Sequence, residues 1–412
     1  MLLSSLLDRL IRTGRLTVID PAGRPHRFGP GGTPAVAVRL HDPTLPARLL
    51  ASPGLAVGEA YMDGTLTVEE GTLRDFLHLC TSGFEALDRH PVQALRRQLG
   101  RPLRRLRQYN PMRRARANVA HHYDLSDTLY DLFLDRNRQY SCAYFRDDGE
   151  SLDQAQENKK RHIAAKLLLR PGMRGLDIGS GAGGLALSLA HTAEVEVTGI
   201  TLSEEQLKAA RERAAAVGLG GRVRFHLRDY REETGTYDRV VSVGMFEHVG
   251  VAHYGTFFAT LRRLLRPDGV GLLHAIGRME PPGGTNPWLR KYIFPGGYCP
   301  ALSEVLAAIE RTGLWVTDIE ILRLHYAETL RCWFDRFQAN RDRIAALYDE
   351  RFCRMWEFYF AGCEMAFRNG PMMVFQIQLA RRRDAVPLTR EYMGDRTHGH
   401  DGGTRRAAVA EP

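Results

Sequence analysis

Arg174-Gly-Leu-Asp-Ile-Gly-Ser-Gly-Ala-Gly-Gly184 is the stretch on which the fold turns. It starts as a short apolar strand, bends through closely spaced glycines and enters a helix at Leu185-Ala-Leu-Ser-Leu-Ala190. Glycine suits such a bend because the turn needs backbone angles that a Cβ resists, and because the chain must come close to a ligand. The free N–H groups at the helix start then face whatever polar group rests on the loop. Gly179, Gly181 and Gly183 alternate, which departs from the G-x-G-x-x-G spacing of dinucleotide sites. Alone, a Gly-rich strand-to-helix turn is as often a tight corner as a binding site.

Working outward, strands and helices alternate from Met173, the pattern of a parallel sheet with helices on both faces. The expected strands are Gly175–Ile178, Val195–Ile200, Val223–Leu227, Arg239–Val243 and Val270–Ile276, with Met373–Leu379 last. Helices are expected at Glu204–Val217 and Tyr254–Leu265, and long ones over Leu330–Arg368. The helix Leu152–Leu169 carries Ala155, Ile163 and Leu167 as an inward stripe. Toward the amino terminus, Leu16–Ile19 and Ala35–Arg39 read as short strands around turns, and Leu73–Leu106 as helical. The chain therefore divides into a small α+β domain over residues 1–110, a doubly wound α/β domain over 111–395, and a disordered tail over 396–412.

Composition narrows the class. Of 412 residues, 44% are hydrophobic and 25% charged, which is ordinary for a globular protein. The six cysteines include no C-x-x-C pair, so reduced thiols are expected, without a disulfide frame or a metal site. No apolar run reaches membrane-spanning length. Leu3, Leu6, Leu7 and Leu10 form one stripe of an amphipathic amino-terminal helix. The net charge is +9, yet ten arginines and no acid lie between Asp88 and Asp124. That segment is either a solvated linker or a face for an anion, nucleic acid or lipid headgroup.

In a doubly wound sheet the ligand lies beyond the carboxyl ends of the strands. Those ends bring together Gly179–Gly183, Thr201–Gln206, Asp229–Arg231, Met245–His248 and His274. Nicotinamide sites want an acid at the end of the second strand. Here Thr201-Leu-Ser-Glu-Glu-Gln206 puts its acids inside the next helix, against a dehydrogenase. Glu247 and His248 are adjacent after a strand, so one of the two, Glu247, is expected to face the site.

Several segments together resemble the cyclopropane-fatty-acyl-phospholipid synthase family of S-adenosylmethionine-dependent methyltransferases. They are Tyr140-Ser-Cys-Ala-Tyr-Phe145, Leu176-Asp-Ile-Gly-Ser-Gly-Ala-Gly183, Gly199-Ile-Thr-Leu-Ser-Glu-Glu-Gln206, Asp229-Tyr-Arg231, Ser242-Val-Gly-Met-Phe-Glu-His-Val-Gly250, Tyr292-Ile-Phe-Pro-Gly-Gly297 and His325-Tyr-Ala-Glu-Thr-Leu330. They cover about residues 120–380 in the family's order; the first 110 residues match more loosely, through Gly58-Glu-Ala-Tyr-Met-Asp-Gly64.

The resemblance implies a class I methyltransferase fold with a lipid-binding amino-terminal domain. It assigns S-adenosylmethionine contacts to Tyr140, Ser141, Gly179, Ser180, Gly181, Gly183, Thr201, Ser203, Gln206, Tyr230 and Arg231. It also implies a bicarbonate general base held by Cys142, Glu247, His274, Ile276 and Tyr326. Cys363 stands where the family places a cysteine once considered a nucleophile; the chemistry needs no thiolate, and packing is the expected role. Phe145, Tyr292, Phe294 and Trp333 are candidate aromatic faces for a passing cation. One departure stands out: the family's Cys-Gly-Trp-Gly loop is Ser180-Gly-Ala-Gly183 here, so Ala182 removes a large surface near the donor.

The expected reaction is methylene transfer from S-adenosylmethionine to a cis double bond of an unsaturated phospholipid acyl chain, giving a cyclopropane. A related enzyme making methylene- or methyl-branched chains is the nearest rival. A non-catalytic lipid binder and an RNA methyltransferase are weaker, the first because the site motifs are intact, the second because no aromatic base-stacking platform adjoins the arginines. The expected partners are a bilayer phospholipid, an anionic membrane surface and a second copy of the chain, with no nucleic acid. The expected location is cytoplasmic, peripheral to the inner face of the membrane.

Overall fold

A computed structural model describes residues 3–83 and 127–394. The boundary expected near residue 110, the arginine segment and the tail from residue 396 lie outside these residues. Two sheets organise the chain. The first comprises β1 (Gly14–Ile19), β2 (Pro25–Gly31), β3 (Ala35–Leu40) and β4 (Leu66–Glu70), in the order β2-β1-β3-β4. It is accompanied by helices α1 (Ser4–Leu10), α2 (Leu45–Ala51), α3 (Pro53–Met62) and α4 (Leu73–Thr81).

The second sheet has seven strands: β5 (Arg174–Ile178), β6 (Glu196–Thr201), β7 (Val223–Leu227), β8 (Tyr237–Val243), β9 (Leu265–Arg278), β10 (Trp315–Ile321) and β11 (Met372–Ala380). Helices α5 (Asp127–Phe133) and α6 (Leu152–Lys166) precede it. Those interleaved with it are α7 (Gly184–Ala193), α8 (Glu204–Ala216), α9 (Tyr254–Leu264), α10 (Pro287–Tyr292), α11 (Leu302–Glu310), α12 (His325–Ala339), α13 (Arg341–Leu347) and α14 (Glu350–Arg368). The strand order is β10-β11-β9-β8-β5-β6-β7. β5 to β9 run parallel, as the alternation of strands and helices predicts. β11 runs antiparallel between β9 and β10, a reversal that alternation alone does not give. β5 lies between β6 and β8, so the strand order reverses beside the glycine loop and opens a crevice at that end.

The small sheet shares one apolar core with the helices that follow the large sheet's parallel strands. Leu16, Val18, Val36 and Val38 of the small sheet join Trp333 of α12 and Phe360 of α14 in a single buried cluster. The amino-terminal leucine stripe belongs to it as well: Leu3 and Leu10 are buried and Leu7 packs against the cluster. The apolar face of α1 is therefore spent inside the molecule.

Gly58-Glu-Ala-Tyr-Met-Asp-Gly64 forms the seam. A Cβ on Gly58 would stand 2.5 Å from Trp288 and 2.7 Å from Phe358, so only glycine lets α3 come this close. Glu59 accepts from Lys291 and Tyr292 at 2.7 and 2.9 Å, Tyr61 donates to Glu357 at 2.9 Å, and Asp63 accepts from Arg351 at 2.8 Å.

Farther along, Arg74 of α4 holds the fully buried Glu364 of α14 through two bonds of 2.7 and 2.6 Å. Arg368 adds a third at 2.8 Å. A buried carboxylate that loses a partner is costly, whereas removing both charges costs less. Replacing Arg74 with Met should lower unfolding free energy by about 3 kcal/mol. Adding Glu364→Met should recover part of that loss in denaturant titrations.

Candidate active site

Two cavities meet at the carboxyl end of the large sheet. The first, about 200 Å³, is walled by the glycine loop, the ends of β6 and β7, and the segment after β8. Gly179, Ser180, Gly181, Thr201, Gln206, Tyr230, Arg231, Tyr140 and Ser141 all line it, as does Ala182. Gly181 has φ +54° and open space where a Cβ would be, so the loop presents bare backbone to the cavity. Gly183 and Ser203 are not on this wall. A Cβ on Gly183 would press on Phe225 at 2.6 Å, so its glycine is needed for packing. Ser203 caps α8, its hydroxyl accepting from the Gln206 N–H at 3.2 Å. That cap places Gln206 beside Thr201, whose hydroxyl donates to the Gln206 side-chain oxygen at 2.8 Å.

The second cavity, about 490 Å³, is mostly apolar and far larger than the ~10–15 Å³ that one water needs. A packed core leaves few voids of even that size. Cys142, Glu247, His274, Ile276, Tyr326 and Cys363 line it, so widely separated segments reach one chamber. Tyr140, Ser141, Gly244 and His248 line both cavities and mark where they join.

Glu247 is the buried carboxylate of that chamber. It is 8% exposed; one carboxylate oxygen accepts from the Ile276 N–H at 2.6 Å and the other has no partner among the described residues. Burial pushes its carboxyl from the ordinary 4.5 up to about 7. The Ile276 N–H is thus bonded to Glu247 rather than free for a second anion.

His274 is buried on β9 and receives the Gln376 side-chain amide on Nδ1 at 3.1 Å. As that amide is oriented, the ring proton sits on Nε2. Burial drives the imidazole well below its usual range, so it is neutral. Tyr326 packs edge-on against Trp333 and Phe367. Burial raises the thiols of Cys142 and Cys363 far above the ordinary value, which disfavours the thiolate a nucleophile requires.

Both Glu247 and His248 line cavities, contrary to the expectation of one. Phe246–His248 is a 3₁₀ turn, and successive side chains there fan around an axis rather than alternating as on a strand. Burial lowers His248 to about 4, leaving it neutral.

Of the proposed aromatic faces, only Phe294 lines the apolar chamber. Trp333 is fully buried in the core, Tyr292 is bonded to Glu59, and Phe145 stacks on His325. Tyr359 is buried in the core and also lines the chamber, its hydroxyl 3.0 Å from that of Tyr140.

Three further residues brace the junction from behind. Lys159, fully buried on α6, donates to Gln139 Oε1 at 2.7 Å and to the Ser141 hydroxyl at 2.8 Å. Gln156 donates to the Ser141 carbonyl at 3.0 Å. Asp177 at the end of β5 lines the donor cavity, and burial raises it to about 7 although Lys159 opposes the shift. The signal for Lys159 was present in the sequence: it sits four residues from both Ala155 and Ile163, in the middle of the inward stripe.

A sheet of this order, with a glycine loop and a cavity at its switch point, defines a class I S-adenosylmethionine-dependent methyltransferase. A mycolic acid cyclopropane synthase solved with SAH and CTAB matches with a TM-score of 0.62 at 35% identity, covering 66% of this chain and 99% of that one. A family model described as mycolic acid cyclopropane synthetase matches residues 110–377. The chain is 38% identical over 353 residues to the cyclopropane-fatty-acyl-phospholipid synthase of Escherichia coli K12, covering 85% of this chain and 89% of the other. It is 37% identical over 383 residues to a probable fatty acid methyltransferase of Pseudomonas putida, covering 89% and 94%. The chain belongs to this cyclopropane synthase family of lipid methyltransferases.

Because Glu247 is raised on folding, the native state binds more protons than the unfolded chain between about pH 4.5 and 7. Its ionisation therefore costs stability progressively through that window and fully above it. Glu247→Gln should raise stability above pH 7 by up to about 3 kcal/mol. No gain is expected at pH 4.5, as read from denaturant midpoints at the two values.

Proposed function

We propose that the protein transfers a methylene group from S-adenosylmethionine to the cis double bond of an unsaturated phospholipid acyl chain, forming a cyclopropane. The observation that carries this reading is the pairing of a donor cavity at the glycine loop with a larger apolar chamber, joined at Tyr140, Ser141, Gly244 and His248. When bound, S-adenosylmethionine supplies an electrophilic sulfonium methyl group, and a proton must later leave the carbon it delivers.

The glycine loop, Thr201, Gln206, Tyr230 and Arg231 would hold the donor, with Arg231 fixed by two bonds to Asp229 at 2.8 and 2.6 Å. Tyr140, Tyr359 and Phe294 offer aromatic faces to positive charge as it moves from sulfur to carbon. The apolar chamber excludes water that would compete for that charge.

Proton removal falls to the polar end of the chamber. The bond-free oxygen of Glu247 can accept a hydroxyl proton, and the Nε2–H of His274 can donate. Glu247, His274 and Tyr326 would hold a bicarbonate, a base small enough to reach a chain that leaves no room for a side chain. Glu247→Gln should lower kcat by about 10²–10⁴-fold while leaving donor affinity unchanged. The wild-type rate should rise through about pH 7.

Gas chromatography–mass spectrometry of lipids from a host lacking such fatty acids tests the product directly. A cyclopropane supports this reading, a methylene- or methyl-branched chain supports the rival, and an unmodified profile overturns both.

Among the described residues no helix is long and apolar enough to cross a membrane. We read the enzyme as cytoplasmic and peripheral, held to anionic lipid by the arginine segment, with residues 1–110 as the lipid-binding domain and a homodimer as its assembly. Arg104, Arg105 and Arg107 changed together to Glu should weaken sedimentation with anionic vesicles most at low salt. Unchanged binding would assign the segment another role.

A further inference from the structure

The apolar chamber does not stop at the catalytic groups. It continues between the two sheets, where Leu6 and Leu7 of α1, Leu16 and Val38 of the small sheet, Val57 of α3 and Leu77 of α4 form its walls. These residues lie outside the matched family region, residues 110–377. Thr81 supplies the one side-chain hydroxyl of this end among the described residues, and it donates to the Leu77 carbonyl at 2.8 Å. The Cys80 thiol is raised to about 12 by burial and stays neutral. The chamber is thus polar at Glu247 and His274 and apolar at its amino-terminal end.

We propose that this end is the subsite for the methyl-terminal tail of the acyl chain, and that α1 with the inner face of the small sheet sets how long a tail the enzyme accepts beyond the double bond. A phosphate headgroup would have to be desolvated there without a partner. The hydrocarbon tail meets no such cost and buries apolar surface on both sides. The double bond then rests beside the junction of the cavities while the tail lies among the leucines of α1. The stripe on α1 is in this view a wall of the slot, which accounts for its inward orientation. Its other face, Ser5, Asp8 and Arg9, is exposed.

This inference rests on the acyl-chain reading above, and its test separates the two. Vesicles containing equal palmitoleoyl and oleoyl phosphatidylglycerol present tails that differ by two methylenes beyond the same double-bond position. Wild-type enzyme, Leu6→Trp, Val57→Phe and Leu6→Ala are compared by the ratio of the two products. The filled variants should lose conversion of the oleoyl chain relative to palmitoleoyl by about tenfold or more. Leu6→Ala should shift the ratio toward oleoyl. Calorimetric binding of S-adenosylhomocysteine, expected unchanged, shows that each variant is folded. If either filled variant is unfolded, the direction of the Leu6→Ala shift decides. Ratios equal to wild type in folded variants overturn the subsite while leaving the catalytic reading intact. A wild-type enzyme that converts neither chain overturns the catalytic reading, and the subsite with it.

Discussion

The structure is organised around a carboxylate kept where carboxylates do badly. Glu247 sits in an apolar chamber with one oxygen bonded to a backbone N–H and the other without a protein partner among the described residues. Packing that ignored chemistry would have removed this group or given it a cation. Among the described residues neither oxygen of Glu247 is paired with a cation. The same chamber is lined by a neutral histidine, held by Gln376, and a tyrosine wedged between aromatic rings. Each of these groups can exchange a proton or a hydrogen bond without bringing a fixed positive charge beside a sulfonium.

A second constraint works at the back of the site. Lys159 is buried behind the donor cavity and is held by Gln139 and Ser141, which line it. Its charge is balanced at longer range by Asp135 and Asp177. The arrangement fixes the Tyr140–Ser141 backbone by side chains from one helix, α6, so the junction of the two cavities is set by a rigid element rather than by a loop.

Much of the fold was legible because central strands buried on both faces read as continuous apolar runs. β10 was not, since Asp318 and Glu320 interrupt it as an edge strand that faces partners such as Lys166 and His162. β2 was also hidden, its prolines and glycines reading as a turn. At the site, the motif residues gathered as the strand ends required. The exceptions have local reasons. Ser203 serves its helix, His248 escaped because neighbouring side chains in a 3₁₀ turn need not point to opposite sides, and Tyr359 shares one face of α14 with Cys363, four residues on. Lys159 escaped because a lysine on a helix reads as solvent-facing unless its place in the stripe is weighed.

The seam built by Gly58 to Gly64 has a consequence beyond holding two layers together. Glu59 grips α10 while Tyr61 and Asp63 grip α14, so α3 and the small sheet beside it are fixed against the catalytic half at two separate elements. A motif that touches no reacting atom therefore sets the gauge of the space between the layers. Drift in those three side chains would first alter the width of that space, while the groups at Glu247 and His274 kept their own bonds.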